Sequence, residues 1–372
     1  MYRFILFSIL LFCSDTVFSC EFSNISFDKN FSGGRFTSCQ ELDKNRFLLT
    51  LRPENTPINN SPWYAFKVKA KTPERIDVVL QVEGGDHRYP PKMSKNGLNW
   101  RLIEHHISQD KMMFSIDVVQ EPTWISAQEI LSNEDYVNWG KSLASVYDIT
   151  HDIQGWSVQE RPLYKLVHHG KGKEWLVILG RQHPPEVTGA LALLPFSETV
   201  LCDIPIANKF RERFNIVIFP NLNPDGVYMG NWRHNANGVD LNRDWKAFKQ
   251  PEVATVHKFL ETLVAKGEKI SMAVDFHSTH KEIFYTMPQD YGMEKPMMVV
   301  DWLNALDKRY PNFSVIQRPG NNPKSAVSKQ YFADVHNIHA ITYEMGDKTD
   351  REFITKLAQD AALTLMETML AY

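Results

Sequence analysis

The stretch "EWLVILGRQHPPEVTGALALLPF", residues 174 to 196, decides the fold class. Glu174 to Gly180 is a short apolar run closed by glycine, which reads as a strand buried on both faces. From Val187 onward the pattern is that of an apolar helix. Between them His183 and Glu186 stand three apart around Pro184 and Pro185. Prolines remove backbone donors and fix φ, so a helix cannot easily hold this pair, and the two side chains belong to a stiffened turn at the strand exit. Alone, such a pair is a metal site or an accident of loop composition.

Downstream, the apolar runs "FNIVIFP", "SMAVDFHS" and "HAITYEM" alternate with helical stretches such as "EVATVHKFLETLVAKG" and "REFITKLAQDAALTLMETMLAY". Strands between helices predict an α/β domain over residues 126–372, with a mixed, mostly parallel sheet between helices. In such a sheet ligands bind beyond the carboxyl ends of the strands. His183 and Glu186 follow one run, "FPNLNPDG" continues another, His277 ends a third and Glu344 ends a fourth. The polar residues therefore converge on one edge.

Upstream, over residues 20–125, the period is two. Tyr64, Phe66, Val68 and Ala70 share a face, as do Ile76, Val78, Leu80 and Val82, and Met112, Phe114, Ile116 and Val118. "EGGD" at 83–86 and the Asn96-Gly97 pair supply turn chemistry. An antiparallel β-sandwich domain in front of the α/β domain is expected.

The chain has 372 residues, 41 basic against 44 acidic, for a net charge of -3, which gives no reason to expect nucleic acid or an anionic membrane surface as partner. Residues 1–19, with Arg3 before an apolar run of about ten residues, read as a secretory signal too short to span a bilayer. Export to a periplasmic or secreted location follows as the expectation. In an oxidising compartment Cys20 pairs with Cys39, or else Cys20 carries a lipid anchor, and Cys202 is left as an inert thiol within the helix.

His183, Glu186 and, 91 residues after Glu186, His277 form a His2Glu set of the type that binds catalytic zinc and leaves a fourth position for water. "FPNLNPDGVYMGNWRHNANGVDLNRDW", residues 219 to 245, is too rich in turn residues for a helix or central strand and reads as a long functional loop.

The order HxxE, NPDG, an Arg followed by "GVDLNRDW", "DFHS" and "TYE" resembles the zinc metallocarboxypeptidases of the M14 family, also called the carboxypeptidase A family. The front domain, with "GGRF" and "WYAFKV", resembles that of the cytosolic carboxypeptidase subfamily. The resemblance implies one Zn2+ per chain on His183, Glu186 and His277. It implies Glu344 as the general base that deprotonates the attacking water and then protonates the leaving amine. It implies Arg233 at the developing oxyanion, Asn242 and Arg243 on the substrate's terminal carboxylate, and Asp240 behind a ligating histidine. Counting back fifteen residues from Glu344 to the family's specificity position gives Lys329, which would favour acidic C-terminal side chains. The family's mobile Tyr has no counterpart at its expected spacing, and Tyr331 is not assigned to it.

The implied activity is hydrolysis of the C-terminal peptide bond of peptides or proteins. A related zinc deacylase acting on N-acyl amino acids or cell-wall peptides, and a non-catalytic binding protein of the same fold, are the alternatives.

Overall fold

A computed structural model describes residues 20–372. The export signal read over residues 1–19 lies outside the described residues. Two sheets form the front of the chain. One has six strands in the order Cys20–Glu21, Ile25–Asp28, Ala65–Ala70, Thr123–Ser126, Lys92–Ser94 and Arg101–Leu102. The other has five, Ser38–Asp43, Arg46–Leu51, Glu74–Val82, Lys111–Val118 and His106–Ser108. The period-two residues, Phe66, Val68, Val78, Leu80, Phe114 and Ile116 among them, share one buried cluster. Lys69 and Met113 point to the opposite faces and are exposed.

The front sheets depart from a purely antiparallel plan at one pairing: Arg46–Leu51 runs parallel to Glu74–Val82. Between those strands the chain crosses to the other sheet to form Ala65–Ala70 and returns, and such a crossover is what a parallel pair requires. Cys20 and Cys39, on the edge strands of the two sheets, are joined in a disulfide. This pairing is the first of the two alternatives read for Cys20. Cys202 caps the end of a helix, half-buried, rather than lying inside it. The last front strand runs to Ser126, one residue past the expected boundary, and the first helix starts at Asn133.

The second sheet system has eight strands, in the order Thr150–Trp156, Pro162–His168, Phe214–Phe219, Glu174–Gly180, Lys269–Thr279, Ala340–Gly346, Ile283–Thr286 and Gln317–Pro319. The four from Phe214–Phe219 to Ala340–Gly346 are mutually parallel, with antiparallel neighbours on both sides. Alternation along Glu174–Gly180 splits the core. Leu176 and Ile178 pack with Leu193 of the helix Val187–Leu201 and Leu365 of the helix Arg351–Ala371. Trp175, Val177 and Leu179 pack on the other face with Val256 of the helix Pro251–Ala265 and Phe332 of the helix Ser328–His336. Among the described residues no single helix is long and apolar enough to cross a membrane.

The segment 219–245 is not all loop. Asn223 accepts a hydrogen bond from the Gly226 amide at 2.9 Å and Pro224 takes the first helical position, so "NPDG" opens a short helix, Pro224–Met229. Asp225 is fully buried and accepts from Ser157 Oγ, the Gln159 amide and Arg161 Nη1 at 2.7, 2.9 and 2.8 Å. It is an anchor inside the domain. The helix ends at Gly230, whose φ of +64° and close approach to Gly33 O, 2.8 Å from where a Cβ would stand, leave room for glycine alone.

Candidate metal centre and catalytic site

Arg181, at a φ of 54°, turns the chain out of the strand Glu174–Gly180, and its Nε donates to Pro184 O at 2.8 Å. The proline turn so held delivers His183 and Glu186 side by side, and the helix begins only at Val187. Gly189 in that helix lies against the strand of His277. A Cβ there would stand 2.3 Å from His277 O, so glycine is what lets the HPPE turn close on the third residue. Ser278 Oγ receives the Gly189 amide and the Thr188 hydroxyl, both at 2.8 Å, pinning helix to strand.

Two Nδ1 atoms and one carboxylate meet. His183 Nδ1 lies 2.8 Å from Glu186 Oε1, His277 Nδ1 lies 2.8 Å from Glu186 Oε2, and the two Nδ1 atoms are 3.2 Å apart. Ligand atoms at the corners of a zinc tetrahedron, with bonds of about 2.0–2.2 Å, are separated by about 3.3 Å. The spacings are thus those of a nearly closed ligand set, and each of the three side chains is 93% or more buried. The outward nitrogens are fixed as well. His183 Nε2 lies 2.9 Å from Asp240 Oδ1 and His277 Nε2 lies 2.9 Å from Asp275 Oδ2, which directs both Nδ1 lone pairs inward. Burial opposes a charge on His277, but the Asp275 and Glu186 carboxylates override it and push the imidazole well up. Burial likewise works against Glu186 ionising, and the His183 and His277 charges hold it low nonetheless. A buried site ringed by carboxylates in this way calls for a cation, and zinc fits the donor set.

Asp275 was not singled out in the sequence. It sits two residues before His277 on the same strand, hence on the same face, and period-two spacing was the signal that could have found it.

Glu344 is the register partner of His277 on the neighbouring parallel strand. Its Oε2 is buried and has no hydrogen-bond partner among the described residues. Burial first, and Glu186 second, push its carboxyl up to about 7. Arg233 Nε donates to Asp240 Oδ2 at 2.7 Å and its Nη1 lies 3.8 Å from Glu186 Oε1. Asp240 therefore links a metal-facing histidine to Arg233. It resists burial through the charges of His183 and Arg233 and stays far below the usual carboxylate range.

A cavity of about 580 Å³ contains all of these groups except the two outer aspartates. Asn242, Arg243 and Lys329 line it too. The Asn242 side chain is set by the Ser328 amide, donating at 2.8 Å, and Arg243 Nη1 donates to the Asn242 carbonyl at 2.7 Å, with half its side chain in solvent. Lys329 is tied to the wall by the carbonyls of Thr286, at 2.8 Å, and Gly320, and burial lowers its amine to about 8. Tyr331 points elsewhere: its hydroxyl meets His257 and His336, each at 3.0 Å. Arg88 and Asn59 from the front domain, with Tyr285 and Arg318, also line it, and sequence reading named none of them.

A buried His2Glu cluster that could hold a metal ion thus lies at the carboxyl ends of parallel strands, beside a carboxylate whose Oε2 has no partner among the described residues and a guanidinium held by Asp240. The family model "zinc carboxypeptidase" matches residues 136–364, and the chain belongs to that family. Cytosolic carboxypeptidase 2 of Xenopus tropicalis is 23% identical over 68% of the chain, and that of Danio rerio 34% identical over 37% of it. The matched parts are 30% and 18% of those proteins, so the chain spans less than a third of the length of these relatives. A metallo-carboxypeptidase from Burkholderia cenocepacia has the same fold, with a TM-score of 0.80 and 18% identity over 93% of this chain and 99% of that one. A Pseudomonas aeruginosa metallo-carboxypeptidase in complex with (2-guanidinoethylmercapto)succinic acid superposes with a TM-score of 0.76 at 19% identity, covering 92% and 98% of the two chains.

Proposed function

We propose that the protein is an exported metallocarboxypeptidase that binds one zinc ion and removes the C-terminal residue of peptides or proteins, with a preference for acidic residues. The observation that carries the reading is the convergence of His183, Glu186, His277, Glu344 and Arg233 on one cavity whose rim holds Asn242 and Arg243. His183, Glu186 and His277 hold the zinc, which when bound lowers the pKa of water and polarises a carbonyl.

The protein's own groups do the rest. Glu344, lifted towards neutrality, takes a proton from the attacking water and returns it to the leaving amine. As water oxygen bonds to the carbonyl carbon and the C–N bond breaks, Arg233 faces the developing oxyanion with a guanidinium already oriented by Asp240. Asn242 and Arg243 hold the substrate's terminal carboxylate, which limits cleavage to the last bond. Lys329 in the cavity wall supports the acidic preference, and the Cys20–Cys39 disulfide supports an oxidising location.

The test is mass spectrometry of products from the zinc-loaded protein, given peptides with acidic, basic and apolar C-termini beside N-acyl amino acids. Loss of single C-terminal residues, fastest from acidic ends, is expected. Cleavage of N-acyl amino acids alone overturns the reading.

A further inference from the structure

The front sandwich reaches into the segment that carries Arg233. Glu54 lies in the loop after the strand Arg46–Leu51, 179 residues from Arg233. Its Oε2 accepts from the Trp232 amide at 2.8 Å, and its Oε1 accepts from the Arg233 amide at 2.9 Å and the His234 amide at 2.7 Å. Three successive backbone donors thus converge on a single carboxylate, the inverse of the usual arrangement in which a loop cradles a free anion. Neighbouring contacts fasten the same segment to the same domain. Asn55 Oδ1 meets His234 Nδ1 at 2.7 Å and Asn55 Nδ2 donates to Gly238 O at 3.0 Å. The Trp232 indole is fully buried in the sandwich's own apolar cluster, beside Arg233 in sequence but directed away from the cavity.

In the segment 230–240 the Asn231 amide goes back to Gly226 O and those of Asn235, Asn237, Gly238 and Val239 are met within the segment, whereas the amides of 232–234 have Glu54 as their acceptor. Arg233 donates a hydrogen bond at each end: its amide to Glu54 and its Nε to Asp240. Asp240 orients the guanidinium, while Glu54 fixes the Cα from which it springs.

We infer that Glu54 is a positioning residue for catalysis, through which the front domain sets Arg233 at the site of charge development. The inference rests on the role given to Arg233 above. It makes the sandwich a working part of the active site, with kcat as the quantity it controls. A group displaced by about 1 Å from its working position costs on the order of 10²-fold in rate.

The test is a double-mutant cycle in the full chain between Glu54→Gln and Arg233→Ala, with amide hydrogen exchange across 232–234 as the second readout. Glu54→Gln keeps the shape but replaces one acceptor oxygen by an NH2 that faces an amide donor. Arg233→Ala is expected to lower kcat by about 10²–10³-fold, as loss of an oxyanion donor does, and Glu54→Gln by roughly tenfold with KM little changed. In the Arg233→Ala background Glu54→Gln should change kcat no further, and in the single variant the 232–234 amides should exchange faster while zinc content stays at the wild-type level. Full additivity of the two losses, or unchanged exchange at 232–234, overturns the inference. Unchanged kcat in Arg233→Ala overturns the role of Arg233 instead, and the exchange measurement then decides alone whether Glu54 holds the segment. Should Glu54→Gln not fold, Glu54→Asp, which keeps the charge and shortens the reach, carries the same expectations.

Discussion

His277 and Glu344 face each other across adjacent parallel strands as direct register partners. Such strands lie about 4.8 Å apart, so the sheet itself sets the proposed metal ligand and the proposed general base at a fixed separation. Among the described residues Glu344 has no hydrogen-bond partner for its buried Oε2, so Glu344→Gln preserves shape without stranding one. This variant is expected to lose at least about 10²–10⁴-fold in kcat, the range of general base catalysis. Zinc content by elemental analysis should remain at one ion per chain. Near-wild-type turnover in zinc-loaded Glu344→Gln contradicts the proposed proton transfer.

The outer carboxylates give a second expectation. Asp275 holds His277 Nε2 and itself accepts from Gln182 Nε2 at 2.6 Å and from Ser328 Oγ, and its other oxygen has no partner among the described residues. Asp275→Asn keeps the volume but removes the charge that orients the imidazole, which should weaken zinc affinity about 10–100-fold. Competition with a chromogenic chelator measures this directly, and an unchanged dissociation constant would show that Asp275 does not tune the metal site. Chelation of the wild-type protein should lower its melting temperature, since an ion that binds only the folded state stabilises it by mass action.

Much of this site was legible because its parts are local. A strand end, a proline turn and a helix start bracket His183 and Glu186, and the DFHS and TYE runs announce their own strands. Asp275 was equally local, the first residue of that DFHS run, but the run was read for its histidine and the aspartate was given no role. The helix at Pro224–Met229 was concealed by its composition, although an Asn cap followed by proline is a helix-start signal. Glu54 and Arg88 could not be read at all. Their partners lie 179 and 259 residues away, and only the packing of one domain on the other brings them together. The parallel pair in the front domain was hidden for a similar reason, since alternation gives the buried face of a strand but not the direction of its neighbour.

Lys329 predicts a pH-dependent specificity. Burial lowers its amine to about 8, so the cation is present below that pH and lost as pH rises through it. The ratio of kcat/KM for acidic over apolar C-terminal residues should therefore fall between about pH 7 and 9 in the wild type. In Lys329→Met the ratio should be low and flat with pH. A preference for acidic ends that survives in Lys329→Met assigns it to other cavity cations such as Arg318 or Arg243.

A buried clamp between the domains is Arg88 on Asp347, with Nε and Nη2 donating at 2.8 and 3.0 Å and side chains only 9% and 4% exposed. Nη2 also donates to Ser278 O at 3.0 Å and Nη1 to Ser61 Oγ at 2.6 Å. Ser278 follows His277, a proposed metal ligand, and Asp347 lies three residues after Glu344, so one guanidinium ties together the ends of both site strands. Arg88→Met would leave Asp347 buried without its counter-charge, and breaking a buried pair from one side costs about 3–5 kcal/mol. Denaturant unfolding should register a loss of that order, whereas Arg88→Met combined with Asp347→Asn should recover part of it, because the stranded charge is gone. The Arg88 charge also acts to hold the Glu344 carboxyl down against burial. The acid limb of the pH–rate profile should therefore move to higher pH in Arg88→Met, a shift that a loss of stability alone would not produce.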